Sequence, residues 1–564
     1  MRSAQTSSPK SPPSLLNLVF SKGMAQGWSV LVGAIALLIL SPVLVVMAGL
    51  FTPQVEVWQH LAETVLARYI LNSLLLMVGV GIGVVGLGVS TAWFVTMCHF
   101  PGRRWLEWAL LLPMAAPAYI LAFTYTEFLE YYGPVQSGLR FLFGWKAASE
   151  YWFPNIRSLG GAIALLTLVL YPYVYLLTRV AFLEQSNRTL EASRTLGCNP
   201  WQSFWRVALP LARPAIAAGT ALTLMETLSD FGTVQYFSVD TFTTGIYRTW
   251  FGMGERIAAT QLAALLLLFV LCLIWLEQWF RRRGRYYQTG YRTVPTRYRL
   301  QGWRKWVTWF TCLSPIALGF VLPAILLLQM GLRHSNKITD ERLWQYARNS
   351  LILAGLAAVL AGAIALLLAY GLRLHPHRPM QASVRLASMG YAIPGSVIAV
   401  GILVPLGAFD NALDAWMRQT FGISTGLLLS GTIVALIFAY LVRFLAIAFN
   451  SVEASLGRIK PSLDDASRSL GYSPAATLRR VHVPLMSGGL ITAILLVFVD
   501  VMKELPATII IRPFNFDTLA IRAYQLASDE RLAEAAFPAL AVVLVGMVPV
   551  ILLSRQIYRS GAES

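Results

Sequence analysis

Four carboxylates in this 564-residue chain share one spacing. Glu226 and Asp230 stand four residues apart, as do Asp500 and Glu504, so each pair falls on one helix face. Both pairs interrupt apolar runs, "LMETLSDFG" and "VFVDVMKELP". An ionisable group at membrane depth is costly and is a functional candidate by default. Together the four favour a cation, and their oxygens suit a hard metal ion. Tyr119, Tyr125, Tyr171, Tyr173 and Tyr175 can add phenol oxygens, or serve as interfacial belt and packing. The competing reading makes the carboxylates structural ion pairs with Arg248, Arg522 or Lys503. The histidines (60, 99, 334, 375, 377 and 482) are scattered, and no metal ligand is firmly assigned.

The elements that must position these groups are membrane helices. Apolar residues make up 56% of the chain, mean hydropathy is +0.60 and only 13% of residues are charged. Apolar runs near the roughly 20 residues a bilayer requires recur throughout. They fall near 28–50, 70–96, 105–128, 158–183, 211–230 and 257–280, then near 307–331, 347–373, 382–406, 425–449, 487–505 and 533–555. The expected fold is an all-α polytopic membrane protein with about 12 spans in two parallel-repeat halves.

A net charge of +18 invites a nucleic-acid reading, but the basic residues sort by loop. Arg2, Lys10 and Lys22 precede the first span, Arg103 and Arg104 follow the second, and the connection between halves carries Arg281, Arg282, Arg283, Arg285, Arg292, Arg297, Arg299, Arg304 and Lys305. The positive-inside rule then puts both termini in the cytoplasm. Arg179 and Arg443 are expected to snorkel to headgroups. Cys98, Cys198, Cys272 and Cys312 show no paired spacing, so no disulfide framework is expected. The domain reading is a disordered tail 1–27, a six-span half 28–280, a basic linker 281–306, a second half 307–558 and a short tail 559–564.

The halves repeat a polar sentence. "EASRTLGCNPWQSFWRVALP" (191–210) returns as "DASRSLGYSPAATLRRVHVP" (465–484), every matched position offset by 274. Asn72-Ser73 and Pro117 return at an offset of 277 as Asn349-Ser350 and Pro394. At 274, Glu226 falls on Asp500, Asp230 on Glu504 and Arg248 on Arg522. Gly197 and Gly471 sit where a left-handed cap would end a short helix. Asn199 and Ser473, each followed by proline, then open the next helix. Pro210 and Pro484 are expected to mark return to the membrane. The bland alternative lays this elbow on lipid, with Trp201, Phe204 and Trp205 as anchors.

The pattern acid-Ala-Ser, three residues, Gly, nine residues, Val-x-Leu/Val-Pro resembles the EAA loop of binding-protein-dependent ABC importer permeases. It is carried by Glu191, Ala192, Ser193, Arg194 and Gly197, and again by Asp465, Ala466, Ser467, Arg468 and Gly471. Asp465 in place of Glu keeps the charge. "LLPMAAPAYILAFTYTEFLEYYGPVQSGLR" and "LMETLSDFGTVQYFSVDTFTTGIYRTW" are similar to the iron(III) branch in particular. The resemblance implies EAA loops at 186–210 and 460–484, two ATP-binding subunits at the loops, a periplasmic solute-binding protein, and ferric iron as cargo across a bacterial inner membrane. ATP and Mg would belong to the partner ATPase. This chain has no Walker A lysine, since none of its seven lysines follows a glycine, and it is expected to be a transport subunit rather than an enzyme. Thiamine or another small solute remains an alternative cargo, and an ion-gradient-driven secondary transporter a second alternative.

Overall fold

The structure, a computed structural model, describes residues 15–52, 55–185, 193, 195–282, 297–333 and 341–562. Among these, ten helices are long and apolar enough to cross a membrane, or twelve if each of two bent pairs is one span. Helices dominate because backbone N–H and C=O groups in lipid have no water to bond. Among the described residues strand is confined to Cys98–His99 pairing in parallel with Tyr298–Arg299, which ties the inter-half connection to the end of the second span.

Seven spans match the expected runs closely: Gly27–Gly49, Leu66–Met97, Leu159–Glu184, Arg256–Trp279, Trp303–Arg333, Glu341–Leu374 and Leu532–Leu552, whereas Ile433–Leu456 starts eight residues later than the expected 425–449. The proline-containing runs depart from expectation. Span three is two helices, Arg103–Ala115 and Ala118–Phe143, bent by 91°. Its counterpart enters through Arg378–Ala387 and a 3-10 turn at Gly390–Ala392, and then runs on as Gly395–Phe421, well past the expected end at 406. Pro117 and Pro394 occupy the N-cap of the following helix in both halves. Proline cannot donate the N–H that a continuous helix would need there, so the break comes at the same place twice.

One boundary of the domain reading shifts. The first helix begins at Leu15, so the stretch 15–27 is helical rather than disordered; "LLNLVF" extends the apolar helix back from the span. Residues 1–14 and most of the basic linker (283–296) lie outside the described residues.

The repeat survives at the level of single hydrogen bonds. Asn72 Nδ2 donates to the Asp240 carbonyl at 2.9 Å, and Asn349 Nδ2 donates to the Asp517 carbonyl at 3.1 Å. Donor and acceptor both shift by 277. Each bond fastens the start of a long span to the segment after that half's carboxylate pair.

Packing between spans two and four depends on small residues. A Cβ added at Gly88 would lie 2.8 Å from Val174 Cβ and 2.9 Å from the Tyr175 backbone nitrogen, whereas one at Gly86 would meet nothing within 4 Å. Gly88→Val should therefore force the helices apart, at the roughly 1–3 kcal/mol typical of overpacking. Gly86→Ala should be neutral or stabilising by about 0.5–1 kcal/mol. Thermal midpoints of the purified chain in detergent test the contrast; equal effects of the two substitutions would contradict this packing.

Candidate functional site

Glu226 and Asp230 end the helix Leu209–Ser229, while Asp500 and Glu504 end Ser487–Lys503. The structure gathers all four around one cavity of about 160 Å³ between the halves, which Tyr119, Tyr173, Tyr391 and Arg443 also line. Proximity does not make them equivalent. Asp230 accepts from the Thr233 and Val234 backbone N–H groups, each at 3.1 Å, and from the Thr233 hydroxyl at 2.9 Å. Glu504 does the same work one repeat later, accepting from Ala507 N at 2.8 Å, from Thr508 N at 3.0 Å and from the Thr508 hydroxyl. Both carboxylates cap the short helices Gly232–Tyr236 and Pro506–Ile511 that follow the break. Glu226 and Asp500 have no such duty and face the cavity.

Of the expected positive partners, Lys503 alone pairs with one of the four carboxylates. Arg248 pairs with Asp240 at 2.8 Å, and Arg522 lies over the Tyr346 ring at 5.6 Å. Lys503 does pair with Asp500, at 3.1 Å. Arg443 is buried rather than snorkelling: its guanidinium lies 3.2 Å from Glu504 and 3.9 Å from Glu226. Arg179 is likewise buried and pairs with Glu107. Hydrophobic sequence around both arginines suggested lipid, but burial of such a charge requires a carboxylate, and each has one.

Of the five tyrosines, only Tyr119 and Tyr173 reach the cavity. Tyr171 and Tyr175 donate to the Leu110 and Glu107 carbonyls at 2.8 and 2.6 Å, and Tyr125 donates to Leu318, so these three tether helices. Tyr391, which sequence reasoning missed, lines the cavity from the second half. Among the described residues no three His, Cys, Asp or Glu side chains are placed to hold a metal ion together. The four carboxylates share the cavity wall with two basic side chains, Arg443 and Lys503.

The repeated elbows are the second feature. Gly197 and Gly471 have φ of +82° and +80°, the left-handed cap that their spacing demanded. Asn199 Oδ1 accepts from Gln202 N at 2.8 Å, and Ser473 Oγ from Ala476 N at 3.3 Å. Each elbow is closed by a buried hydroxyl pair, Ser193–Ser203 at 2.9 Å and Ser467–Thr477 at 2.7 Å. The 274 offset already paired Ser203 with Thr477; that shared hydroxyl was the missed signal. Glu191, Ala192 and Arg194 lie outside the described residues. In the second copy Asp465, Ala466, Arg468 and Gly471 are exposed, with Asp465 and Arg468 paired at 2.8 Å, while Ser467 is buried.

A π-helical stretch follows each elbow at matching positions, Phe204–Ala208 and Leu478–His482. Beyond it the halves differ. The first helix runs unbroken through Pro210 as Trp201–Ser229, with the proline at the junction where the π-helical stretch passes into α-helix. The second bends by 79° between Leu485 and Ser487, where Gly488 and Gly489 weaken the helix. Of the proposed lipid anchors, Phe204 is instead buried, 4.9 Å from Trp93, and only Trp201 and Trp205 are exposed.

Residues 84–286 match the family described as binding-protein-dependent transport system inner membrane component. The Fe(3+)-transport system permease protein FbpB 2 of Haemophilus influenzae is 28% identical over 501 residues, covering 88% of this chain and 91% of that protein. The ferric transport system permease protein FbpB of Actinobacillus pleuropneumoniae is 27% identical over 505 residues, covering 84% and 69%. The molybdenum transport system permease protein ModB of Escherichia coli is 24% identical over 210 residues, covering 35% of this chain but 86% of its own. A nearly whole relative thus aligns with about a third of this chain.

Removing the Glu504 side chain strips Arg443 of its near partner and frees two backbone N–H groups. Glu504→Ala should cost about 3–5 kcal/mol, as for a broken buried ion pair. Asp230→Ala frees two N–H groups and the Thr233 hydroxyl but no arginine, and should cost about 1–3 kcal/mol. Thermal unfolding in detergent compares them; equal losses would show that Arg443 does not depend on Glu504.

Proposed function

We propose that this chain, a fused two-half member of the binding-protein-dependent transport permeases, is the membrane subunit of an ATP-driven importer of ferric iron. The observation that carries the cargo is the nearly full-length likeness to the Fe(3+)-transport permease of Haemophilus influenzae. Carboxylates facing a cavity between the halves agree with a cationic cargo.

Two ATP-binding subunits would dock at the elbows, one to each half. Leu196 and Leu470, matched at 274, are 83% and 76% exposed beside the left-handed glycines. Two equivalent apolar knobs on rigid, internally hydrogen-bonded turns suit a partner with two equivalent sockets. ATP and Mg would be held by those partners, and no cofactor by this chain. A periplasmic binding protein would deliver iron at the opposite face. The charge distribution among loops supports a bacterial inner-membrane location with both termini in the cytoplasm. Each half, 28–280 and 307–558, would act as one moving body.

Proteoliposomes holding this chain, its ATPase and its binding protein should accumulate radiolabelled ferric iron only when ATP is supplied, and excess thiamine should not compete. Competition by thiamine would replace the cargo. Accumulation driven by an ion gradient without ATP would overturn the importer reading.

A further inference from the structure

We propose that Arg443 is a resident counter-cation of the cavity, which cargo must displace from Glu226. This rests on reading the cavity as a cation passage. Arg443 is only 6% exposed, lines the cavity, and its Nε is buried without a hydrogen-bond partner. Its two arms are held unequally. Nη1 donates to Glu504 at 3.2 Å, whereas Nη2 stands 3.9 Å from Glu226, beyond hydrogen-bond range. Glu504 is committed to the helix it caps as well as to the arginine. Glu226 is the carboxylate free to change partner.

The repeat shows that this cation belongs to one half only. Ser158 and Thr432 cap span four of each half and lie 274 apart, which places Val169 opposite Arg443. Two other positions differ in concert. A Cβ on Gly395 would lie 2.3 Å from Arg443 Nη1 and 2.8 Å from Glu504 Oε1, and its first-half counterpart, 277 residues earlier, is Ala118. Glu504 is one methylene longer than its counterpart Asp230. The trio Ala118, Val169 and Asp230 has therefore become Gly395, Arg443 and Glu504: an arginine, room for it, and a carboxylate long enough to reach it while still capping its helix.

Four uncompensated carboxylates would hold a highly charged cation too tightly to release it, and conduction requires binding weak enough to leave. Arg443 and Lys503 are the cavity's cationic residues, and each lies beside one of the two free carboxylates: Arg443 reaches across from the second half to Glu226, and Lys503 pairs with Asp500 on its own helix. Because guanidinium does not deprotonate in proteins, its charge cannot be titrated away. It can only move aside. On displacement Glu226 turns to the cargo while Glu504 retains Arg443.

Binding of terbium(III) to the full chain in detergent, read by tyrosine-sensitised luminescence, tests this without any partner subunit. Arg443→Gln should bind at least tenfold tighter than the native chain. Arg443→Lys, which keeps the charge but cannot span both carboxylates, should fall between them. Adding Glu226→Gln and Asp500→Asn to Arg443→Gln should abolish the gain. Should the glutamine variant not fold, the lysine variant decides, with tighter binding supporting the role. Unchanged or weaker binding in the folded variants, or a gain that survives loss of both carboxylates, would overturn it. Intact iron uptake with unchanged terbium affinity would withdraw the resident cation alone. Failed iron uptake with the predicted affinity changes would withdraw only the cargo.

Discussion

Everything around the central cavity depends on two carboxylates accepting backbone N–H groups where a helix stops inside the protein. A break in a membrane helix orphans several donors, each costing about 1–3 kcal/mol if buried unpaired. Asp230 and Glu504 take those donors, which lets the chain turn at once into the short helices Gly232–Tyr236 and Pro506–Ile511. Glu226 and Asp500, one helical turn earlier, are consequently aimed into the space the break opens. Proline breaks at Pro117 and Pro394 border the same region, with Pro117 lining the cavity itself. Such irregular backbone is tolerated at membrane depth only where protein or a polar cavity surrounds it.

Duplication supplies a frame in which differences become informative. The Asn72 and Asn349 bonds, the glycine caps, the buried hydroxyl pairs and the π-helical stretches repeat at fixed offsets, so those positions answer to demands that both halves share. The Gly395–Arg443–Glu504 cluster does not repeat. The bend ahead of Ser487 does not either, where Gly489 packs so close to Ser455 that a Cβ would collide with its hydroxyl. The cavity between the halves is thus built from a symmetric scaffold carrying an asymmetric charge.

Much of this was legible beforehand, for identifiable reasons. Span number follows from apolar run length, and the elbow caps follow from Gly197 and Gly471, since only glycine takes φ near +80° without strain. The four carboxylates could be placed in one cavity because their spacing and offset put them on equivalent faces. Their division into caps and free groups could not, because capping depends on where the helix ends, and nothing local distinguishes Asp230 from Glu226. Arg443 was misread for a related reason. A lone arginine in an apolar helix looks lipid-facing until its partner, 61 residues away, is brought beside it.

The central claim is that cargo cations pass between the halves along Glu226 and Asp500. The most direct measurement is ATP-dependent ferric iron uptake by the reconstituted assembly carrying Glu226→Gln and Asp500→Asn together. Neither residue caps a helix, so the double variant should fold and keep its ATPase subunits, while uptake falls at least tenfold. Uptake equal to that of the native chain would place the passage elsewhere.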